Sequence, residues 1–203
     1  MRRTFLLLAF IGAAALAGCG PSYPKLPKLG GDAVVLAFGD SLTFGTGATP
    51  AQAYPAELER MIGRKVVAAG VPGEVSAEGL ERLPRLLEES KPALLILCHG
   101  GNDFLRKLGE ESAAANVKAM VRLAQQQGVA VVLLATPKPG FGVSRVPFYE
   151  DIGREFAVPV ESEILLEMLG SGRLKSDLVH PNAAGYAAVA TAVDKLLGKA
   201  GAR

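Results

Sequence analysis

The 203-residue chain has two cysteines, two histidines and a formal net charge of only +2. Each shortage excludes something. Two cysteines cannot build a disulfide scaffold. Neither His99 nor His180 has a second ligand at zinc-like spacing, so the sequence implies no metal, and nothing in it asks for a cofactor. The 22 basic residues are balanced by 20 acidic ones, and no basic run is interleaved with aromatics, which argues against a nucleic-acid partner. No apolar run reaches the roughly 20 residues a helix needs to cross a bilayer. A Gly-x-Ser-x-Gly run around Ser41 is also lacking, which argues against the lipase-type α/β-hydrolase elbow. What the chain does have is apolar mass: 49% of its residues are hydrophobic, enough for one sizeable core in one domain rather than a disordered chain.

The N-terminus reads separately from that domain. Arg2-Arg3, the apolar run from Phe5 to Ala17 and the small residues before Cys19 follow the order of an export signal. Leu16-Ala17-Gly18-Cys19 resembles the bacterial lipobox. That resemblance implies a signal peptide over residues 1–18, a lipidated Cys19 as first mature residue, and a stable membrane anchor, since two or three acyl chains hold where one is marginal. An ordinary signal peptide cleaved near Gly18 or Gly20 is the alternative. Gly20, rather than an aspartate, follows Cys19, which by resemblance to exported lipoproteins points to the outer membrane and periplasm of a host with two membranes. Residues 19–31, rich in Pro, Gly and Lys, read as a tether, and residues 32–203 as the domain. If Cys19 carries lipid, Cys98, at the end of an apolar run, has no partner and reads as a small buried hydrophobe.

From Ala33 onward, apolar runs alternate with helical patterns. The runs are Ala33 to Phe38, Lys65 to Ala69, Ala93 to Cys98, Val129 to Ala135 and, more weakly, Ala157 to Val160. Helical spacing occupies Ala53 to Ile62, Ser76 to Ser90 with a kink expected at Pro84, Ser112 to Gln127, Phe148 to Phe156, and Pro181 to Leu197 with Pro181 at its first position. Continuous runs without polar alternation suggest strands covered on both faces. Five of them separated by helices predict an α/β domain with a parallel sheet and right-handed crossovers. Ligands of such sheets bind beyond the carboxyl ends of the strands. Asp40-Ser41, Gly73 and Gly100-Gly101-Asn102-Asp103 all fall there.

A serine hydroxyl attacks only when a neighbouring base takes its proton, and histidine suits that task near neutral pH. His180 follows Asp177 by three residues, a spacing that lets a carboxylate fix the ring; helix capping is the competing reading of that pair. His99 is the rival base, in a place better suited to packing or to lining a pocket. Asn102 offers a neutral N–H donor for an oxyanion, Gly73 an unobstructed backbone N–H, and Ser41 its own N–H at a helix mouth. Singly, Asn102 and Gly73 read equally well as turn residues.

In order and context, Gly39-Asp40-Ser41-Leu42, Gly73, Gly101-Asn102-Asp103 and Asp177-Leu178-Val179-His180 resemble the conserved blocks of the SGNH hydrolases, or GDSL esterases and lipases, over essentially Val34 to Leu197. Gly79-Leu80-Glu81-Arg82-Leu83-Pro84 and Gly100 to Arg106 are most similar to the periplasmic thioesterase, arylesterase and lysophospholipase branch. One departure is Ala69-Gly70, where many relatives carry an asparagine. The resemblance implies a flavodoxin-like three-layer α/β/α fold with a five-stranded parallel sheet. It also implies a Ser41-His180-Asp177 triad, and an oxyanion site made by the Ser41 and Gly73 N–H groups and the Asn102 side chain. The expected activity is hydrolysis of a small-molecule or lipid acyl ester or thioester. Deacetylation of a cell-wall or exported polysaccharide is an alternative, and a non-catalytic tethered binding module a remoter one. The run Thr136-Pro137-Lys138-Pro139-Gly140-Phe141-Gly142 reads either as a wall for an acyl chain or as a plain loop.

Overall fold

The computed structural model describes residues 23–140 and 142–203. The expected signal peptide, Cys19 and the first part of the tether lie outside the described residues, as does Phe141 in the Pro/Gly-rich run. Seven strands occur among the described residues: β1 (Val34–Gly39), β2 (Lys65–Gly70), β3 (Leu94–Cys98), β4 (Ala130–Leu134), β5 (Lys138–Gly140), β6 (Gly142–Ser144) and β7 (Val160–Glu161). The helices are α1 (Ser41–Phe44), α2 (Tyr54–Ile62), α3 (Ser76–Ser90), α4 (Gly101–Leu105), α5 (Glu110–Gln126), α6 (Phe148–Phe156), α7 (Ile164–Gly170) and α8 (Ala183–Ala200).

Five strands form one parallel sheet in the order β2-β1-β3-β4-β7, while β5 and β6 make a separate antiparallel hairpin. Counting only the sheet strands, this is the doubly wound order of flavodoxin-like folds, which reverses direction between β1 and β3. Side chains alternate across the pleat. Leu36, Phe38, Leu95 and Leu97 enter a core shared with α3, α5 and α6, whereas Val35, Ala37, Leu94 and Ile96 enter the opposite core with α2, α7 and α8. Two such cores, one per face, are why the central runs carry no polar residues. β2 departs from that pattern because it is an edge strand, and Lys65 at its start is exposed.

Several expected boundaries move for identifiable reasons. α8 begins at Ala183, not Pro181: Asn182 is its cap, with the side-chain oxygen accepting from Gly185 N at 3.0 Å, and Pro181 pairs across a bridge with Lys175 instead. The last sheet strand starts at Val160 because Ala157, in the left-handed conformation at φ 50°, closes α6. α3 runs without interruption through Pro84, which faces solvent. Within the expected tether, Leu26 N and Leu29 N donate to the carbonyls of Ala200 and Ala202, and Leu29 is buried. This part of the stretch packs against the end of α8.

Register levels the strand ends where chemistry is expected. Gly39 stands beside Gly70 on one side and Cys98 on the other, so the three following loops leave the sheet from one row. Gly39 has to be glycine: a Cβ there would stand 2.2 Å from the Cys98 carbonyl oxygen and 2.4 Å from Thr43 Oγ1.

Candidate active site

Asp40 turns the chain from β1 into α1. Its carboxylate is buried and caps the helix, Oδ1 accepting from Leu42 N at 3.0 Å, which places Ser41 at the first position of α1 over the sheet's switch point. His180 arrives from the segment before α8, and its Nε2 lies 3.0 Å from Ser41 Oγ. On the other side of the ring, Nδ1 lies 2.7 Å from Asp177 Oδ2. Asp177 Oδ1 accepts the backbone N–H groups of Val179 at 2.9 Å and His180 at 2.8 Å. Burial alone would raise the Asp177 carboxyl, but the His180 ring and those two N–H groups hold it below its ordinary value. A carboxylate kept ionised there orients the ring with its second nitrogen toward Ser41. The segment is pinned at its base, where Ser176 N donates to the His180 carbonyl at 3.0 Å and Asn182 N to the Leu174 carbonyl at 3.0 Å.

Gly73 and Asn102 reach the same cavity from the ends of β2 and β3. Gly73 sits at φ 80°, a conformation that favours glycine, and its carbonyl accepts from Arg106 Nη2 at 2.6 Å. Asn102 Nδ2 donates to the Glu74 carbonyl at 2.9 Å and to Asp40 Oδ2 at 3.2 Å. Asp40 itself is raised above its ordinary value, chiefly by burial, with His99, the Leu42 N–H and His180 pulling the other way.

These residues open on a cavity of about 240 Å³. Ser41, Gly73, Asn102 and His180 form its polar corner; Pro72, Leu105, Pro137, Pro139, Leu169 and Val179 make the rest largely apolar. Of the Pro/Gly-rich run, Thr136, Pro137 and Pro139 do line the cavity, Pro139 from the β5-β6 hairpin. Leu105 is 48% exposed and Leu178, between Asp177 and Val179, is 86% exposed.

Ser41, Gly73, Asn102, Asp177 and His180 thus stand together in one place, while Cys19, the expected lipidation site, lies outside the described residues. His99 does not join them as a base. Its ring is fully buried, with Nε2 3.0 Å from Glu74 Oε2 and the Phe38 ring tilted against it, centre to centre 5.3 Å. Cys98 is buried and free. Sequence reasoning missed the side-chain role of Asp40, although an aspartate directly before a helix start is a capping signal. It also missed Leu169, from a helix only seven residues long.

Comparison with known proteins finds relatives in sequence and in structure. The model of the GDSL-like Lipase/Acylhydrolase family matches residues 37–188. Esterase TesA of Pseudomonas aeruginosa is 31% identical over 158 residues, covering 72% of this chain and 79% of that protein. The thioesterase 1/protease 1/lysophospholipase L1 of Escherichia coli K12 is 28% identical over 156 residues, covering 73% and 75%. Among solved structures, a crystal structure of TesA superposes with a TM-score of 0.74 at 27% identity, over 82% of this chain and 99% of that one.

Proposed function

The chain belongs to the GDSL-like lipase/acylhydrolase family, and from that premise we propose that it is a serine hydrolase that cleaves acyl esters or thioesters through an acyl-enzyme on Ser41. The observation that carries this reading is the continuous relay from Asp177 Oδ2 through His180 to Ser41 Oγ, with spacings of 2.7 and 3.0 Å, at the wall of an apolar cavity. His180 takes the Ser41 proton as Oγ attacks the carbonyl carbon, then returns it to the departing alkoxide or thiolate. Water enters, His180 takes its proton as the oxygen attacks the acyl-enzyme, and His180 returns that proton to Ser41 Oγ as the acid is released. Asp177 stays ionised and stabilises the imidazolium formed in each half-reaction.

The negative charge that develops on the carbonyl oxygen is received by the N–H groups of Ser41 and Gly73 and by the Asn102 amide. Both hydrogens of that amide are engaged in the free protein. The longer bond, to Asp40, is the one an arriving oxyanion displaces, while the Glu74 carbonyl keeps the other. The apolar lining supports a substrate with an acyl chain in preference to an acetylated polysaccharide. The relatives named for esterase, thioesterase and lysophospholipase activity support the same class. The N-terminal signal and Cys19 complete the proposal as an exported lipoprotein acting on acyl lipids or small esters at an extracytoplasmic membrane surface.

The test is hydrolysis of p-nitrophenyl esters of graded chain length, together with labelling by a serine-directed fluorophosphonate. The unmodified protein hydrolyses and is labelled. Ser41→Ala loses the label and up to roughly a millionfold in kcat; turnover near that of the unmodified protein in Ser41→Ala ends the assignment. A sharp preference for acetyl over longer chains transfers the reading to carbohydrate deacetylation. Mass spectrometry of the mature N-terminus decides the anchor.

A further inference from the structure

Behind the oxyanion site lies a buried ionic cluster that the reaction just described does not use. Glu74 follows Gly73, but its side chain turns inward and is only 6% exposed. Arg82, from the second turn of α3, grips it with a two-pronged contact, Nε to Oε1 at 2.7 Å and Nη2 to Oε2 at 2.6 Å. The same Nη2 reaches the carbonyls of Ala69 at 3.1 Å and Gly39 at 3.4 Å, and the guanidinium lies 4.3 Å from the centre of the Phe38 ring. His99 Nε2 adds a third contact to the Glu74 carboxylate at 3.0 Å. α3 makes room for that ring with Gly79, where a Cβ would stand 2.4 Å from His99 Nε2.

The cluster is joined to the oxyanion donors by covalent and hydrogen bonds. Glu74 shares a peptide with Gly73, and the Glu74 carbonyl is the shorter partner of the Asn102 amide. Arg82 also holds Gly39 O, one residue before Asp40, the amide's other partner. One guanidinium therefore fixes the end of β1, the end of β2 and the turn between Gly73 and Glu74. Desolvation offsets part of the attraction in an ion pair this buried, so besides a pH-dependent share of stability it supplies geometric constraint.

Resting on the serine-hydrolase reading above, we infer that Glu74 and Arg82 are positioning residues for the oxyanion site. They do not touch the ester. They set where the Gly73 N–H and the Asn102 amide stand when charge develops on the carbonyl oxygen, and a displacement of about 1 Å there is enough to lower turnover by up to about a hundredfold.

A kinetic double-mutant cycle tests this on full-length protein with p-nitrophenyl butyrate. Four forms are compared: unmodified, Glu74→Gln, Asn102→Ala and the combination. Asn102→Ala alone lowers kcat about a hundred- to a thousandfold. Glu74→Gln lowers kcat about ten- to a hundredfold with KM within about twofold, and in the Asn102→Ala background its effect shrinks at least about fivefold, because the side-chain donor, the one of the two that Glu74 holds by a direct hydrogen bond, is gone. An equal factor in both backgrounds, or a loss confined to KM, overturns the inference. Circular dichroism checks folding; if Glu74→Gln does not fold, Arg82→Lys keeps the charge and removes the fork, and it carries the same cycle. Absence of Ser41-dependent hydrolysis in the unmodified protein overturns the underlying reading, a failure distinguishable because it precedes any change at Glu74.

Discussion

Asp177 is half exposed, yet both its carboxylate oxygens are engaged, one by two backbone N–H groups and the other by the His180 ring. Asp177→Asn keeps the shape but offers an amide where Nδ1 needs an acceptor, so the ring takes the wrong tautomer. By the precedent of serine protease triads, kcat falls about ten-thousandfold, measured on a p-nitrophenyl ester, and a loss under about tenfold removes Asp177 from the relay. The pair was legible in the sequence because its members are three residues apart on one segment. Ser41 and Asn102 are legible because each lies within four residues of the end of an apolar run. Glu74 and Arg82 were not, although they are only eight residues apart. Charged residues near a helix start read as solvated, and only the tertiary turn that aims Glu74 back under the strand ends reveals the cluster.

Element by element, the runs with a clear period were read correctly, and the punctuation around them less so. Four of the five sheet strands and most long helices fell within a few residues of their predicted ends. Pro181 was a misleading helix start, since the rule that favours proline at a first helical position was met one residue before the true cap. Asn182 holds that cap through Gly185 N and donates from its own amide to the Arg173 carbonyl at 2.8 Å. Asn182→Ala therefore costs about 1 kcal/mol or somewhat more, a drop of roughly 2–4 °C in Tm for a chain of this size. Thermal melting followed by circular dichroism reads it, and an unchanged Tm removes the cap from the account. α4, α7 and the β5-β6 hairpin are not legible in the sequence because segments of three to seven residues are too short for a periodic pattern to stand out, and Lys138-Pro139-Gly140 has turn composition. All three wall the cavity, so the sequence told more about the catalytic atoms than about what surrounds the substrate.

For the molecule as a whole, acid stability depends on the cluster below the site. Burial alone would raise the Glu74 carboxyl, but His99 and Arg82 hold it at about 2, against an ordinary value of 4.5. A carboxyl depressed on folding stabilises the fold fully above about pH 4.5 and loses that contribution as pH falls toward 2. Melting at pH 7 and pH 3 checks this: the Tm gap between the unmodified protein and Glu74→Gln narrows at pH 3, and a constant gap refutes it. Parallel pairing was readable from runs without alternation, whereas the strand order came only with the family resemblance, because apolar runs do not encode their neighbours. That order brings together β1, near the start of the described chain, and the segment before the last helix, so that Ser41 meets a histidine 139 positions later. On a ribosome adding roughly 5–20 residues per second, the nucleophile precedes its base by ~7–28 s. Throughout that interval the growing polypeptide carries an unactivated hydroxyl. Hydrolysis can begin only once the segment carrying His180 has been added and packed against α1.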